Sequence, residues 1–286
     1  MGPKIGARLI VASHRQRNDR RKPELREAWN PAEATPAHAA GTGHRRRLEE
    51  AQTEWLWGWH PVVAALGNPA RAPVKRLVAT ADRARAVAER FGPGRIVETA
   101  EAAAISQLIP QGAAHQGVAL RIPQLEPTTL DDLAQPARGL LLMLDQITDP
   151  QNVGAIFRTA AAFGARGVIL QDRHAPALSG ALAKAAAGAI DTIPHARETN
   201  LSRSLERLEA LGWRAVGLDG AAPDELAAVL DASPTVLVMG SEGEGLRRLV
   251  REHCDVLAKI LMPGGFESLN VSAAAAVALY EASRPR

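Results

Sequence analysis

The sequence predicts an α/β protein built around a mostly parallel sheet, with a smaller α/β unit ahead of it. Three observations carry this. Apolar runs of about five residues, such as Leu140-Leu141-Leu142-Met143-Leu144 and Thr235-Val236-Leu237-Val238-Met239, alternate with helical stretches. Their uninterrupted hydrophobicity suits strands buried on both faces. Pro123, Pro127 and Pro136 set this region apart from an earlier, shorter series of strand and helix signals.

Residues 1–53 come first and offer few core candidates. Between Met1 and Arg47 stand eleven Lys/Arg against four Asp/Glu, including Arg45-Arg46-Arg47. Low hydrophobicity with that charge predicts a basic, disordered extension, either a solvated tail or an arm that adds affinity for RNA phosphates. Order begins at Glu54-Trp55-Leu56-Trp57-Gly58-Trp59-His60-Pro61, where alternating tryptophans predict a strand with one packed face. Those indoles read as core, or else as platforms for unpaired bases. Pro61 starts a helix through Leu66 that ends at Gly67-Asn68-Pro69. Strands at residues 76–79, 95–97 and 117–122, with helices at 82–91 and 101–108, complete a small unit over residues 54–122. Residues 123–137 read as a linker with a helical turn at 130–134.

The second unit spans residues 138–286. Its strands fall at 140–144, 167–170, 214–218, 235–239 and 258–261, and its main helices at 152–163, 201–211 and 272–283. Ligands on such sheets bind beyond the carboxyl ends of the strands.

Composition narrows the chemistry. The chain has 286 residues, 46% of them apolar, so at least one substantial core can form. Cys254 is the single cysteine, which removes an internal disulfide and a cysteine metal cluster from consideration. His60, His115, His174 and His195 are scattered without metal-ligand spacing, so no metal is expected. No apolar run approaches the roughly 20 residues of a membrane span. The expectation is a cytoplasmic protein with no membrane partner.

Three loops carry unusual side chains. After Leu144 the chain reads Asp145-Gln146-Ile147-Thr148-Asp149-Pro150-Gln151-Asn152, and the helix that follows places Arg158 six residues beyond Asn152. Spacing alone allows a capping Asn and a surface Arg. After Met239 comes Gly240-Ser241-Glu242-Gly243-Glu244-Gly245, either a tight turn or a place of close backbone approach for a neutral or cationic ligand. It is neither G-x-G-x-x-G nor a P-loop, which weighs against a nicotinamide enzyme. Ile260-Leu261-Met262-Pro263-Gly264-Gly265 then leads to Ser268-Leu269-Asn270-Val271-Ser272 and an Ala-rich helix. Three alternating polar groups exceed what one helix cap needs.

In order and spacing, N-x5-R, G-S-E-G-x-G and S-L-N-V-S before a terminal helix resemble the three motifs of the SpoU/TrmH branch of the SPOUT RNA methyltransferases. The resemblance covers residues 138–286 closely. It extends more loosely to residues 54–122, where Gly58-x-His60-Pro61-Val62 and His115-Gln116-Gly117-Val118 look like the RNA-binding domain ahead of some members. It implies a deep trefoil knot and S-adenosylmethionine as cofactor, held by Gly240, Ile260 and Leu269 with Met239 and Met262 close by. The implied reaction is 2′-O-methylation of a ribose in structured RNA. Arg158 would hold the adjacent phosphate and stabilise the developing alkoxide, since guanidinium keeps its proton. Asn152, Ser268 and Asn270 would position ribose and Arg158, and Glu242 would orient Arg158 or the loop. The resemblance further implies a homodimer through the knotted region, to which the small side chains of residues 273–280 are suited. It is nearest to enzymes acting on a guanosine of 23S rRNA, with tRNA as the alternative substrate. A catalytically silent RNA-binding or ribosome-assembly protein is the rival from another class. One departure stands out: Leu261 follows Ile260 where the family usually has Pro.

Overall fold

A computed structural model describes residues 53–265 and 268–285. The basic extension expected ahead of them lies, up to residue 52, outside the described residues.

The first elements are β1 (Thr53–Trp57), α1 (Trp59–Gly67), β2 (Arg76–Ala79), α2 (Ala81–Phe91), β3 (Glu98–Thr99), α3 (Ala102–Ser106) and β4 (Val118–Pro123). They form a four-stranded sheet in the order β1-β4-β2-β3, with β4 antiparallel to β1 and β2. Trp55 and Trp57 share a face of β1 and pack near Val78, Ile105 and Ala119. Trp59 departs from the expected strand. Gly58 turns the chain at a φ of 91°, Trp59 opens α1, and its indole packs against the other core. The strand expected at 95–97 is displaced too. Backbone pairing to Val78 and Ala79 falls on Glu98 and Thr99, and Ile96 stays 93% exposed.

The second series runs α4 (Leu130–Ala134), β5 (Leu140–Leu144), α5 (Pro150–Ala162), β6 (Gly167–Gln171), α6 (Gly180–Ala186), β7 (His195–Glu198), α7 (Leu201–Ala210) and β8 (Arg214–Leu218). It continues with β9 (Asp224–Glu225), α8 (Leu226–Val229), β10 (Thr235–Met239), α9 (Arg248–Glu252), β11 (Val256–Lys259) and α10 (Val271–Ser283). Seven strands pair in the order β7-β6-β5-β10-β8-β11-β9, every pair parallel. Successive strand residues face opposite ways. Leu142, Leu144, Val168, Leu170 and Leu237 pack on the side of α5, α6 and α10. Leu141, Met143, Ile169, Val236 and Val238 pack on the side of α4 and α7.

Two features escape hydropathy. The polar strand β7 needs no apolar run at the sheet edge, where short and charged strands are the rule. The stretch read as a linker docks on that edge: Thr128 bridges to Ala196, and Leu130 and Leu133 are buried. The two sheets also share one continuous core, in which Leu56, Val62 and Leu120 belong with Ile156, Leu182 and Ile190. A buried ion pair strengthens the seam. Arg71 Nε donates to Asp191 at 2.8 Å and Arg71 Nη1 to the Pro123 carbonyl at 3.0 Å, with side chains 2% and 0% exposed in the ion pair. Among the described residues, no helix is long and apolar enough to cross a membrane.

Candidate active site

The carboxyl ends of β5, β10 and β11 lead into the three unusual loops. At the first, Asp149 and not Asn152 caps α5: its carboxylate accepts the Gln151 and Asn152 N–H groups, each at 3.2 Å. Pro150 occupies the first helical position, where no N–H is needed and its fixed φ suits the helix. Capping by Asp149 leaves the Asn152 side chain to reach elsewhere. Its Nδ2 donates to Glu242 Oε1 at 3.2 Å, and its Oδ1 accepts from Asn270 Nδ2 at 3.0 Å.

Asn270 closes the triangle. Its Nδ2 also donates to Glu242 Oε1 at 2.8 Å, while its Oδ1 caps α10 through the Ser272 and Ala273 N–H groups. Glu242 Oε1 accepts the Val271 N–H as well, at 3.1 Å. One residue from each loop therefore meets at a single carboxylate oxygen. Glu242 orients the two amides and the start of α10; Arg158 is not among its hydrogen-bond partners.

The Gly-rich loop is held tightly. Ser241 and Gly245 exchange backbone hydrogen bonds at 3.1 and 3.0 Å. A Cβ added at Gly240 would lie 2.1 Å from the Gly245 carbonyl carbon, so only glycine fits. Asp145, fully buried, accepts the Arg247 N–H at 2.9 Å and Arg247 Nε at 2.7 Å, while its own N–H donates to the Met239 carbonyl at 2.8 Å. Asp145 and Arg247 thus anchor the loop at both ends, a role the sequence reading did not assign. The available signal was an Asp directly after an apolar strand and an Arg just past the last glycine.

The remaining candidates divide. Arg158 is exposed on α5, and neither it nor Ser268 makes a side-chain hydrogen bond or ion pair among the described residues. Ile260 and Met262 are half-buried, and Leu261 and Leu269 are 60% and 39% exposed, an apolar rim beside the loop. β11 ends at Lys259, so Ile260 and Leu261 lie in the loop and not in the strand expected for them. Within residues 260–265, one backbone bond forms among the described residues, Gly265 N–H to the Met262 carbonyl at 3.4 Å. Met239 points its side chain into the core. Burial, with Asp255 and Asp145 adding to it, pushes the Cys254 thiol up to about 12, which removes it as a nucleophile. No group of three metal-binding side chains forms among the described residues.

Comparison with known proteins identifies the family. Residues 139–280 match the SpoU rRNA Methylase family. An uncharacterized tRNA/rRNA methyltransferase of Mycolicibacterium gilvum is 38% identical, over 100% of this chain and 93% of the relative. The SpoU methyltransferase AviRb of Streptomyces viridochromogenes, crystallised with AdoMet, superposes with a TM-score of 0.68 at 26% identity, over 84% of this chain and 92% of AviRb. An AdoMet-bound rRNA methyltransferase of Sinorhizobium meliloti gives a TM-score of 0.68 at 27% identity, over 83% and 89% of the two chains. With the family matched over residues 139–280 and a relative 38% identical across 100% of this chain and 93% of its own length, the chain belongs to the SpoU family of RNA methyltransferases.

Proposed function

We propose that this protein methylates a ribose 2′-hydroxyl of a structured RNA from S-adenosylmethionine, with a guanosine of 23S rRNA as the favoured target. The observation that carries the reading is the meeting of Asn152, Glu242 and Asn270 at one oxygen, with Asn152 on the same helix as an exposed Arg158 that has no partner among the described residues. The residues present suit the cofactor. Strand pairing aside, one backbone hydrogen bond forms within 260–265 among the described residues, and Ile260, Leu261, Met262 and Leu269 offer apolar cover for a flat base. Gly240, Ile260 and Leu269 would hold it, with Met262 beside them and Met239 contributing backbone only. When bound, S-adenosylmethionine supplies an electrophilic methyl on a sulfonium.

The chain's own part is positioning and electrostatics. Arg158 holds the phosphate next to the reacting ribose and stabilises its oxygen while the hydroxyl proton passes to solvent water. Asn152 and Asn270, locked by Glu242, align the ribose, and Ser268 adds a hydroxyl at the same helix start. The small unit at 54–122 binds substrate RNA. The knotted chain path and a homodimer through α10, whose Val277 and Tyr280 are 42% and 56% exposed, belong to the same reading. Transfer RNA is the second substrate reading, since the name tRNA/rRNA methyltransferase given to relatives allows either RNA.

The test is incubation with labelled S-adenosylmethionine and protein-free total RNA from a strain lacking the gene, followed by size separation. Label in large-subunit rRNA, abolished by Arg158→Ala, is expected. Label in tRNA moves the second reading ahead. No label in RNA or in assembling ribosomal particles overturns the proposal in favour of a silent RNA-binding protein.

A further inference from the structure

The seam between the two sheets brings together residues that lie far apart in sequence. Gln116, exposed and held at a left-handed φ of 54°, accepts at Oε1 from the Trp59 N–H at 3.0 Å and from Lys184 Nζ at 2.8 Å. Its backbone carbonyl accepts from Arg83 Nε at 3.0 Å. Lys184 comes from α6 under the seven-stranded sheet, Arg83 from α2 of the small unit, so two cations from the two units flank one neutral side chain. The Arg83 guanidinium lies over the Trp59 ring, 4.7 Å from its centroid, which fixes one wall. Gly58 clears the other: a Cβ there would stand 2.5 Å from Lys184 Nζ.

Neither cation has a carboxylate partner among the described residues. Burial lowers the Lys184 ammonium below its ordinary range, and among the described residues its hydrogen-bond acceptor is the Gln116 amide oxygen. A half-buried cation in that state favours an anionic partner. Each retains unspent N–H donors, three on an ammonium and five on a guanidinium less those used here.

We infer that Lys184 and Arg83, on either side of Gln116, form a notch that takes one backbone phosphate of the substrate RNA and so fixes the RNA's register across both units. The inference rests on the RNA-substrate reading above. It explains why the Gly58-x-His60-Pro61 and His115-Gln116-Gly117 segments converge: they line a site whose charge arrives from α2 and α6.

The test is filter binding of labelled, deproteinised large-subunit rRNA and bulk tRNA over a salt series. The Arg83→Gln/Lys184→Gln double variant is expected to bind roughly tenfold more weakly, with a log–log salt slope shallower by about 1, the loss of one phosphate contact. Lys184→Arg alone is expected to keep the wild-type slope. Melting temperature and S-adenosylmethionine binding stay at wild-type values in both. Should the double variant fold poorly, Arg83→Gln alone carries the slope measurement. An unchanged slope, with or without weaker binding, overturns the notch and leaves Lys184 a mechanical latch. If the wild type methylates RNA while the slope is unchanged, only the notch fails. If the wild type neither binds nor methylates RNA, the RNA reading fails and the notch with it.

Discussion

Glu242 Oε1 accepts from Asn152, Asn270 and the Val271 N–H, so one oxygen ties together three chain segments that local structure alone leaves apart. Glu242→Ala removes all three bonds at once. The Val271 amide should then exchange with solvent at least about tenfold faster, and turnover should fall, with little change in melting temperature; hydrogen exchange checks the first point. His195 belongs to the same scale. It is 2% exposed, its Nε2 has no hydrogen-bond partner among the described residues, and burial, then Arg197 and Arg71, lower its pKa to about 4 from 6.5. Between those values the unfolded chain binds a proton that the native state refuses. Stability therefore falls as pH drops from 6.5 toward 4, by on the order of 3 kcal/mol at the acid end, and is unaffected above 7. Melting His195→Leu beside the wild type from about pH 7 to about pH 4.5 should show a shallower acid loss in the variant.

At the scale of elements, close approach decides which residues are tolerated. α5 lies so near α6 that a Cβ at Gly154 would stand 2.5 Å from the Leu182 carbonyl oxygen and 2.7 Å from Ala185 Cβ. Neither backbone nor a methyl can move aside cheaply, so Gly154→Ala should cost about 1–3 kcal/mol, read as a lowered urea midpoint. The contact matters beyond stability. Arg158 sits one turn past Gly154, and pushing α5 off α6 should lower turnover more than it weakens cofactor binding. The loop after β10 shows the same logic with a different outcome. Asp145 grips the backbone and side chain of Arg247, so the loop's ends are fixed to β5 and its glycines need only satisfy local crowding at Gly240.

On the scale of the molecule, the shared core and the Arg71–Asp191 pair join the two sheets. Removing one partner of a buried ion pair leaves the other charged and dry. Arg71→Ala should therefore cost about 3–5 kcal/mol, whereas Arg71→Met/Asp191→Leu should recover most of it. Chemical denaturation of the three proteins distinguishes these outcomes. A small unit held this firmly keeps a set distance from α5, which is the condition the proposed phosphate notch at the seam requires.

Much of this is legible in the sequence, for a physical reason. Strands buried on both faces of a parallel sheet are nearly uniform in apolar residues, so 140–144, 214–218 and 235–239 announce their own ends, as do the loops at their carboxyl termini. Edge elements carry no such signature. β7 shows no apolar run because it is short and keeps Arg197 and Glu198 only half-buried, and α6 hides in an Ala-rich stretch whose burial comes from α5 and Trp57. The cap of α5 is ambiguous in sequence because Asp149 and Asn152 are equally good cap chemistry, and only the path of the chain shows which one faces the free N–H groups. The sequence by itself determined the fold class, the places of the five main strands along the chain and the identity of the three polar loops. Tertiary structure decided which side chains meet: Asn152 with Asn270 across 118 positions, Asp145 with Arg247 across 102, Gln116 with Lys184 across 68. Periodicity reports burial along a segment, whereas a hydrogen bond between distant segments depends on how the sheet folds the intervening chain.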